Sequence, residues 1–477
     1  MRKGVKPEDN IRLLSENDER EIHNHVLQIM ENIGLKVKND EVLNFLERNG
    51  CEVDYDEQRV RIPSYIVNDC IDKAPSQFRM GARDPENDIM FQQGRSYFCA
   101  CTGPVTKIQP GEDLKKPTKE DQEEAGKISD ALDNIDVTWV LYTLSEDPLL
   151  GLKELDSALN NTTKHIGLLN WYGRDLVGKQ IEMLKEVAGG EEELRDRPLA
   201  TLYVEPTSPL SMAEEHAEAI LKWTDHDLPY LNFPIQFPGA TSPASLAGSI
   251  AQGFAESFLG LVIGQLNNPG NPFIGGVWPF PMDLRQGESP YFAAEAMLIQ
   301  AAAGQMAEFY EIPVYGTGGC SNSYYQDVQM GAEMALTMWG SFLGGETLIH
   351  DVGVEGAGDA GSPESLILGD ELIGILKRQA EGINIDDESF ALELIEDVGP
   401  EGEFVATKHT RDHMEDFYFP EFLKRVKMED KREESDKAIS RVRNKYNDIV
   451  NNYEPEPLDS DIKENLSQII DEASDLA

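Results

Sequence analysis

Aromatic side chains gather in this sequence where a chain built strand by strand would present a ligand. Tyr97, Trp139, Tyr142, Trp171, Tyr172, Tyr203, Phe237, Trp278 and Tyr315 fall on or just after short apolar runs. Ring faces attract a cation through their quadrupole, by roughly 0.5–2 kcal/mol each when desolvated. A wall of such rings suits a quaternary ammonium group; the same rings also suit the filling of a core. His350, in TLIHDVG, is one of eight histidines and sits in an apolar run. It is a candidate acid, base or donor to a substrate carboxylate, or else a satisfied structural histidine. Alternation along a strand predicts that Asp351 points to the side opposite His350. Cys99 and Cys101 share a face on the same principle, and with His350 they form a candidate zinc ligand set for a thiol-activating enzyme. GTGGCSNSYYQD places Gly316, Gly318 and Gly319 in a loop whose backbone amides are expected to meet an anion, or to leave room for a bulky planar cofactor.

Eight apolar runs must position these residues. They are YFCACTGP (Tyr97 to Pro104), VTWVLYT (Val137 to Thr143), KHIGLLNWYG (Lys164 to Gly173) and LATLYVEP (Leu199 to Pro206), then PYLNFPIQF (Pro229 to Phe237), PFIGGVWPF (Pro272 to Phe280), PVYGTGG (Pro313 to Gly319) and TLIHDVG (Thr347 to Gly353). Helix-like stretches separate most of them. Strand then helix, eight times over, predicts an α/β fold of the (β/α)8, or TIM, barrel type, with the active site at the C-terminal ends of the strands. Residues 1–95 read as an N-terminal α/β extension, 96–426 as the barrel with its decoration, and 427–477 as a charged helical tail. Within the extension, SENDEREIHNHVLQIMENIG has a serine cap, helical apolar spacing and a glycine stop, NDEVLNFLERNG is a second helix, and CEVDYDEQRVRIP is a hairpin. Three strongly apolar barrel helices, near 245–266, 293–310 and 331–345, leave room for a homo-oligomer.

Composition narrows the function. A net charge of −45 over 477 residues argues against nucleic acid or an anionic membrane as partner, because phosphates are repelled. So many surface carboxylates read as solubility in a salty cytoplasm. No stretch is expected to span a bilayer, and the N-terminus lacks a signal-peptide core, so a cytoplasmic location is expected. Five cysteines are too few and too scattered for a disulfide framework. There is no C-x-x-C, H-E-x-x-H or P-loop, nor a G-x-G-x-x-G in a dinucleotide-binding context.

Several ordered segments carry a resemblance over the chain to about Met428. They are GLKVKNDEVLNFLERNG with RIPSYIV, GARDPENDI, YGTGGCSNSYYQDVQMGAE, IHDVG with SPESLILGDELIG, and KHTRDHMEDFYFPEFLKR. Together they resemble the trimethylamine methyltransferase family, the corrinoid-dependent methyltransferases of methylamine and betaine metabolism. The resemblance implies a TIM barrel that passes a methyl group from a methylated amine to the Co(I) corrinoid of a separate partner protein. No D-x-H-x-x-G corrinoid signature occurs, so the cofactor is expected on that partner, docked over the mouth. Trimethylamine-specific members carry pyrrolysine, and this chain has only the twenty standard residues. It therefore resembles the quaternary-amine branch, with glycine betaine the leading substrate and trimethylamine, carnitine, proline betaine and choline as alternatives. The implied substrate pocket draws on Tyr97, Trp139, Trp171, Tyr203, Gln236, Trp278, Tyr315 and His350. A betaine carboxylate would fall to His350, Gln236 or an amide of the Gly316 to Gly319 loop. A barrel that binds quaternary amines without transferring methyl groups is the non-catalytic alternative.

Overall fold

The computed structural model describes residues 1–6, 11–100, 103–109, 114–139, 142–144, 149–169, 176–288, 290–425 and 437–474. Each apolar run contributes one strand to a parallel eight-stranded sheet: β1 Tyr97–Ala100, β2 Val137–Trp139, β3 His165–Leu169, β4 Ala200–Val204, β5 Tyr230–Asn232, β6 Phe273–Ile274, β7 Tyr315–Thr317 and β8 Leu348–Val352. They pair in the order β6-β5-β4-β3-β2-β1-β8-β7. The seam between the two ends closes through Gly275, whose N–H donates to Pro313 O at 3.0 Å and whose carbonyl accepts from Tyr315 N–H at 2.9 Å. The expected barrel is therefore the observed one. Strands β3, β4 and β8 are buried at every residue, which is why they read as mostly apolar runs rather than as a polar–apolar alternation.

A helix follows each strand: α1 Lys119–Ala131, α2 Leu150–Asn161, α3 Leu176–Ala188, α4 Glu214–Thr224, α5 Leu246–Asn267, α6 Ala294–Tyr310, α7 Val328–Gly344 and α8 Pro363–Ala380. Local chemistry starts several of them. Thr118 and Asp121 form a capping box on α1, Asp327 accepts from Met330 N–H on α7, and Ser362 caps α8 with Pro363 in its first turn. Helix α5 is long and apolar enough, by length and composition, to cross a membrane, contrary to the expectation that no segment is. Here it is wedged into the barrel wall. A Cβ added at its Gly264 would stand 1.9 Å from the Tyr230 hydroxyl oxygen, so the glycine sets how closely helix and strand approach.

The N-terminal end of the barrel is plugged. A hairpin of Gln77–Met80 and Ile89–Gln92 sends Phe78, Met80, Ile89 and Phe91 into the same core as Tyr97. Asp88 ties the hairpin down, accepting from Ala82 N–H at 2.8 Å and pairing with Arg79 and Arg197. The extension has the expected helices, Glu16–Gln28 and Asp40–Arg48, capped by Ser15 and Asn39. Its small sheet takes a fourth strand, Ser211–Met212, from the chain after β4, which fastens the extension to the barrel. In the tail, Ala438–Asn452 lays Val442 and Ile449 against α8, and Ser460–Ala473 lays Leu466 and Ala473 against α3.

Candidate active site

At the C-terminal ends of the strands lies a cavity of about 130 Å³, sized for a small molecule. Strand β4 contributes Tyr203 and, two residues on, Glu205 from the same face. Trp278 comes from the extension of β6, Tyr315 from β7, His350 from β8 and Tyr291 from the loop before α6. Ile235 and Leu169 complete its apolar wall. The rings brace one another: Tyr315 stacks on His350 with centroids 3.9 Å apart, Trp278 meets His350 edge to face at 4.5 Å, and Phe280 stacks on Tyr291 at 4.3 Å. A wider cleft of about 860 Å³ lies toward the opposite end, lined by Asn134, Lys377, Arg378 and His413. It is an open polar groove far from the strand ends, where barrel chemistry resides.

Four of the expected pocket residues thus come together: Tyr203, Trp278, Tyr315 and His350. Trp139 forms the layer beneath, packed edge to face on Tyr203 at 6.1 Å and tilted against Tyr315 at 5.8 Å. It fits because Gly167 offers no side chain; a Cβ there would stand 2.0 Å from the indole. Tyr97 is at the wrong end. As the first residue of β1 it faces the plug, and its hydroxyl donates to Met90 O at 2.5 Å. Gln236 turns outward to α5, because Ile235 takes the inward position and neighbours alternate; a Cβ at Gly253 of α5 would lie 2.6 Å from the Gln236 amide oxygen. Trp171 and Tyr172 lie outside the described residues.

The glycine loop also differs from expectation. Its amides are spent inside the fold: Gly318 N–H donates to His350 O at 2.9 Å and Gly319 N–H to the Thr337 hydroxyl at 3.1 Å. Its glycines exist for packing. A Cβ at Gly316 would stand 1.8 Å from a Glu346 carboxylate oxygen, and Gly319 holds φ +77° against Met338 and Val352. No open amide nest faces an anion or a corrin there.

His350 and Asp351 lie on the same side, against simple alternation. The pairing of β8 with β1 shifts register between Ile349 and Val352, and Asp351 adopts φ 71°. This bulge brings Asp351 Oδ2 to 3.1 Å from His350 Nε2, with both side chains fully buried. His350 Nδ1 donates to Gly316 O at 2.5 Å. The two atoms make no hydrogen bond, and Nε2 has no hydrogen-bond partner among the described residues. With its one N–H on Nδ1 and given to Gly316, the neutral ring carries no hydrogen on Nε2, so His350 shows the cavity its ring and is no donor to a substrate carboxylate. Burial pulls its pKa down to about 3, with the Gly316 carbonyl opposing.

Glu205 and Tyr291 escaped the sequence reading. Glu205 was within reach, since LYVEP ends an apolar strand on an acid that shares a face with Tyr203. Burial among the rings pushes its carboxyl up to about 7, opposed by the Tyr203 hydroxyl that donates to it at 3.1 Å. Trp278 Nε1 is a buried donor with no partner among the described residues. The thiol of Cys99 is buried and pushed well above its ordinary value by desolvation and then by Asp351. Cys101 lies outside the described residues, and among those described no group of three His, Cys, Asp or Glu could hold a metal ion.

The profile for trimethylamine methyltransferase (MTTB) matches residues 2–475. The chain belongs to the trimethylamine methyltransferase family. It is 30% identical over 460 residues to the trimethylamine methyltransferase MttB of Desulfitobacterium hafniense strain DSM 10664 / DCB-2, covering 95% of this chain and 92% of that one. It is 28% identical over 463 residues to a glycine betaine methyltransferase of D. hafniense strain Y51, covering 96% of each. In fold it is similar to the monomethylamine methyltransferase of Methanosarcina barkeri, with a TM-score of 0.51, 11% identity, and coverage of 99% of this chain and 90% of that one. This methyltransferase is thus an enzyme of a family with named members for both a tertiary and a quaternary amine.

Proposed function

We propose that this methyltransferase takes a methyl group from a quaternary amine, glycine betaine in the first place, and delivers it to a Co(I) corrinoid carried by a separate protein. The observation that carries the reading is the small aromatic cavity, walled by Tyr203, Trp278, Tyr291 and Tyr315, with one acid and no Lys or Arg among its described lining residues. Such a lining favours a positively charged, weakly hydrated head group. A quaternary ammonium is an activated methyl donor, because the C–N electron pair leaves on a neutral amine.

The Co(I) corrin, when present, supplies a two-electron nucleophile for the methyl carbon. A corrin far exceeds a 130 Å³ cavity, which fits a cofactor presented from outside rather than one housed in the barrel. Tyr325 and Val328, at 75% and 89% exposure on the loop and helix start after β7, give an apolar rim for such a partner. The enzyme's own residues bind, orient and dehydrate the substrate. The rings hold the ammonium, and Trp278 Nε1–H is the open donor for a betaine carboxylate. Homo-oligomeric assembly and a cytoplasmic location belong to the same proposal. Leu298, Phe309 and Leu336, exposed apolar side chains on the neighbouring helices α6 and α7, support self-association, which sedimentation tests.

The deciding assay mixes the enzyme with a Co(I) corrinoid and either glycine betaine or trimethylamine, and follows the demethylated amine by NMR. Corrinoid-dependent dimethylglycine from glycine betaine is the expected result. Dimethylamine from trimethylamine alone would assign the tertiary amine instead, and tight binding without any product would leave only a binding protein.

A further inference from the structure

Glu205 is the one carboxyl group lining the aromatic cavity among the described residues, and the sequence reading gave it no role. Its partly buried side chain stands at the mouth end of β4. Tyr203 faces it from its own strand, Tyr291 from the loop before α6, Tyr315 from β7 and His350 from β8. Asp351 lies behind His350. On the outer side, His216 Nδ1 donates to the Glu205 backbone carbonyl at 2.6 Å. No described Lys or Arg borders the cavity, so the acid has no fixed cation to neutralise it.

Resting on the quaternary-amine reading above, we propose that Glu205 is the counter-charge for the substrate's ammonium head, and that binding is coupled to the loss of one proton from its carboxyl group. In the empty cavity the acid keeps its proton, because a carboxylate among rings is poorly solvated; burial sets that balance near pH 7. An arriving quaternary ammonium cannot donate a hydrogen bond. It can only be matched by charge, and a carboxylate beside it is worth more than a neutral acid. The O–H bond of Glu205 then breaks, its electron pair stays on the carboxylate, and the proton leaves to solvent through the mouth. The cavity thereby goes from neutral and empty to an ion pair walled by rings. A neutral tertiary amine product would no longer match that charge, so Glu205 would take its proton back and favour release.

Linkage fixes the sign. A cation that prefers the ionised acid binds more weakly as pH falls below the acid's own pKa. Affinity should drop by about tenfold per pH unit below pH about 6 and level off above pH about 7. The experiment is titration calorimetry on the intact wild-type enzyme with glycine betaine and with tetramethylammonium, at pH 6 in two buffers of different ionisation enthalpy. Both ligands should release close to one proton, and release should vanish at pH 8.5. In Glu205→Gln, which mimics the protonated acid, affinity should lose its pH dependence and fall about ten- to hundredfold at pH 8.5. Binding without proton release would overturn the proposal while leaving the methyl-donor reading intact. Proton uptake with glycine betaine at pH 8.5 would also overturn it, showing Glu205 as a donor to the betaine carboxylate. Failure of both ligands to bind at any pH would remove the quaternary-amine reading itself.

Discussion

Trp278 and Asp351 each carry an unusual demand at the scale of single atoms. The indole N–H of Trp278 is buried without a described partner, an arrangement that costs about 1–3 kcal/mol unless a ligand supplies the acceptor. Trp278→Phe keeps a ring and deletes that donor. Its affinity for glycine betaine should fall about tenfold while tetramethylammonium, which has no carboxylate, binds as before; equal losses for both would show that only the ring matters. At Asp351 the carboxyl is held 3.1 Å from His350 Nε2 with both side chains buried. An amide of the same shape can turn an N–H to that nitrogen, so Asp351→Asn should unfold within about 1 kcal/mol of wild type. Asp351→Leu removes the buried polar group and strands whatever it holds, and should lose about 1–3 kcal/mol in denaturant unfolding. If the two variants are equally unstable, the contact with His350 is not what holds the bulge.

Strands and helices were the legible part of this sequence. All eight strands fall inside the eight apolar runs, because a parallel strand buried on both faces is mostly apolar and admits only a few partnered polar residues. Which way each residue faces was less legible. Counting by twos succeeds for Tyr203, Tyr315 and Trp278 but fails at Asp351, where a bulge adds a residue that no periodicity announces. Tyr97 misled for another reason: it starts its run, so it meets the plug instead of the mouth. Gln236 and Ile235 were indistinguishable as neighbours until the extension of β5 paired with that of β6. The glycines of the β7 loop were read for their amides, yet they are there for what they leave out. Gly316→Ala would force a methyl group onto the Glu346 carboxyl, and we expect a loss of about 1–3 kcal/mol in thermal or denaturant unfolding. A variant as stable as wild type would mean that Glu346 readily swings aside.

Charge governs the molecule as a whole. Folding buries Glu154 and Glu346 and pushes both carboxyls up to about 8, and Glu355 up to about 7, in each case mainly by desolvation. Acids with raised folded pKa values bind more protons folded than unfolded. Their contribution is complete below the ordinary carboxylate range and fades as pH climbs through 7 to 8. Repulsion within a chain of net charge −45 acts in the same direction. The melting temperature should therefore rise as pH is lowered from 8.5 to 6, and added salt should narrow the difference by screening the surface share. A calorimetric scan that shows the opposite trend would mean that other groups dominate. The helix Ser460–Ala473 has a consequence in time as well as in space. It covers α3, so the apolar flank of the third βα unit stays bare until residues 460–473, far behind it in the chain, have left the ribosome. A nascent chain halted before residue 460 would display that flank to chaperones, and the barrel would settle into its finished packing only when the covering helix arrives.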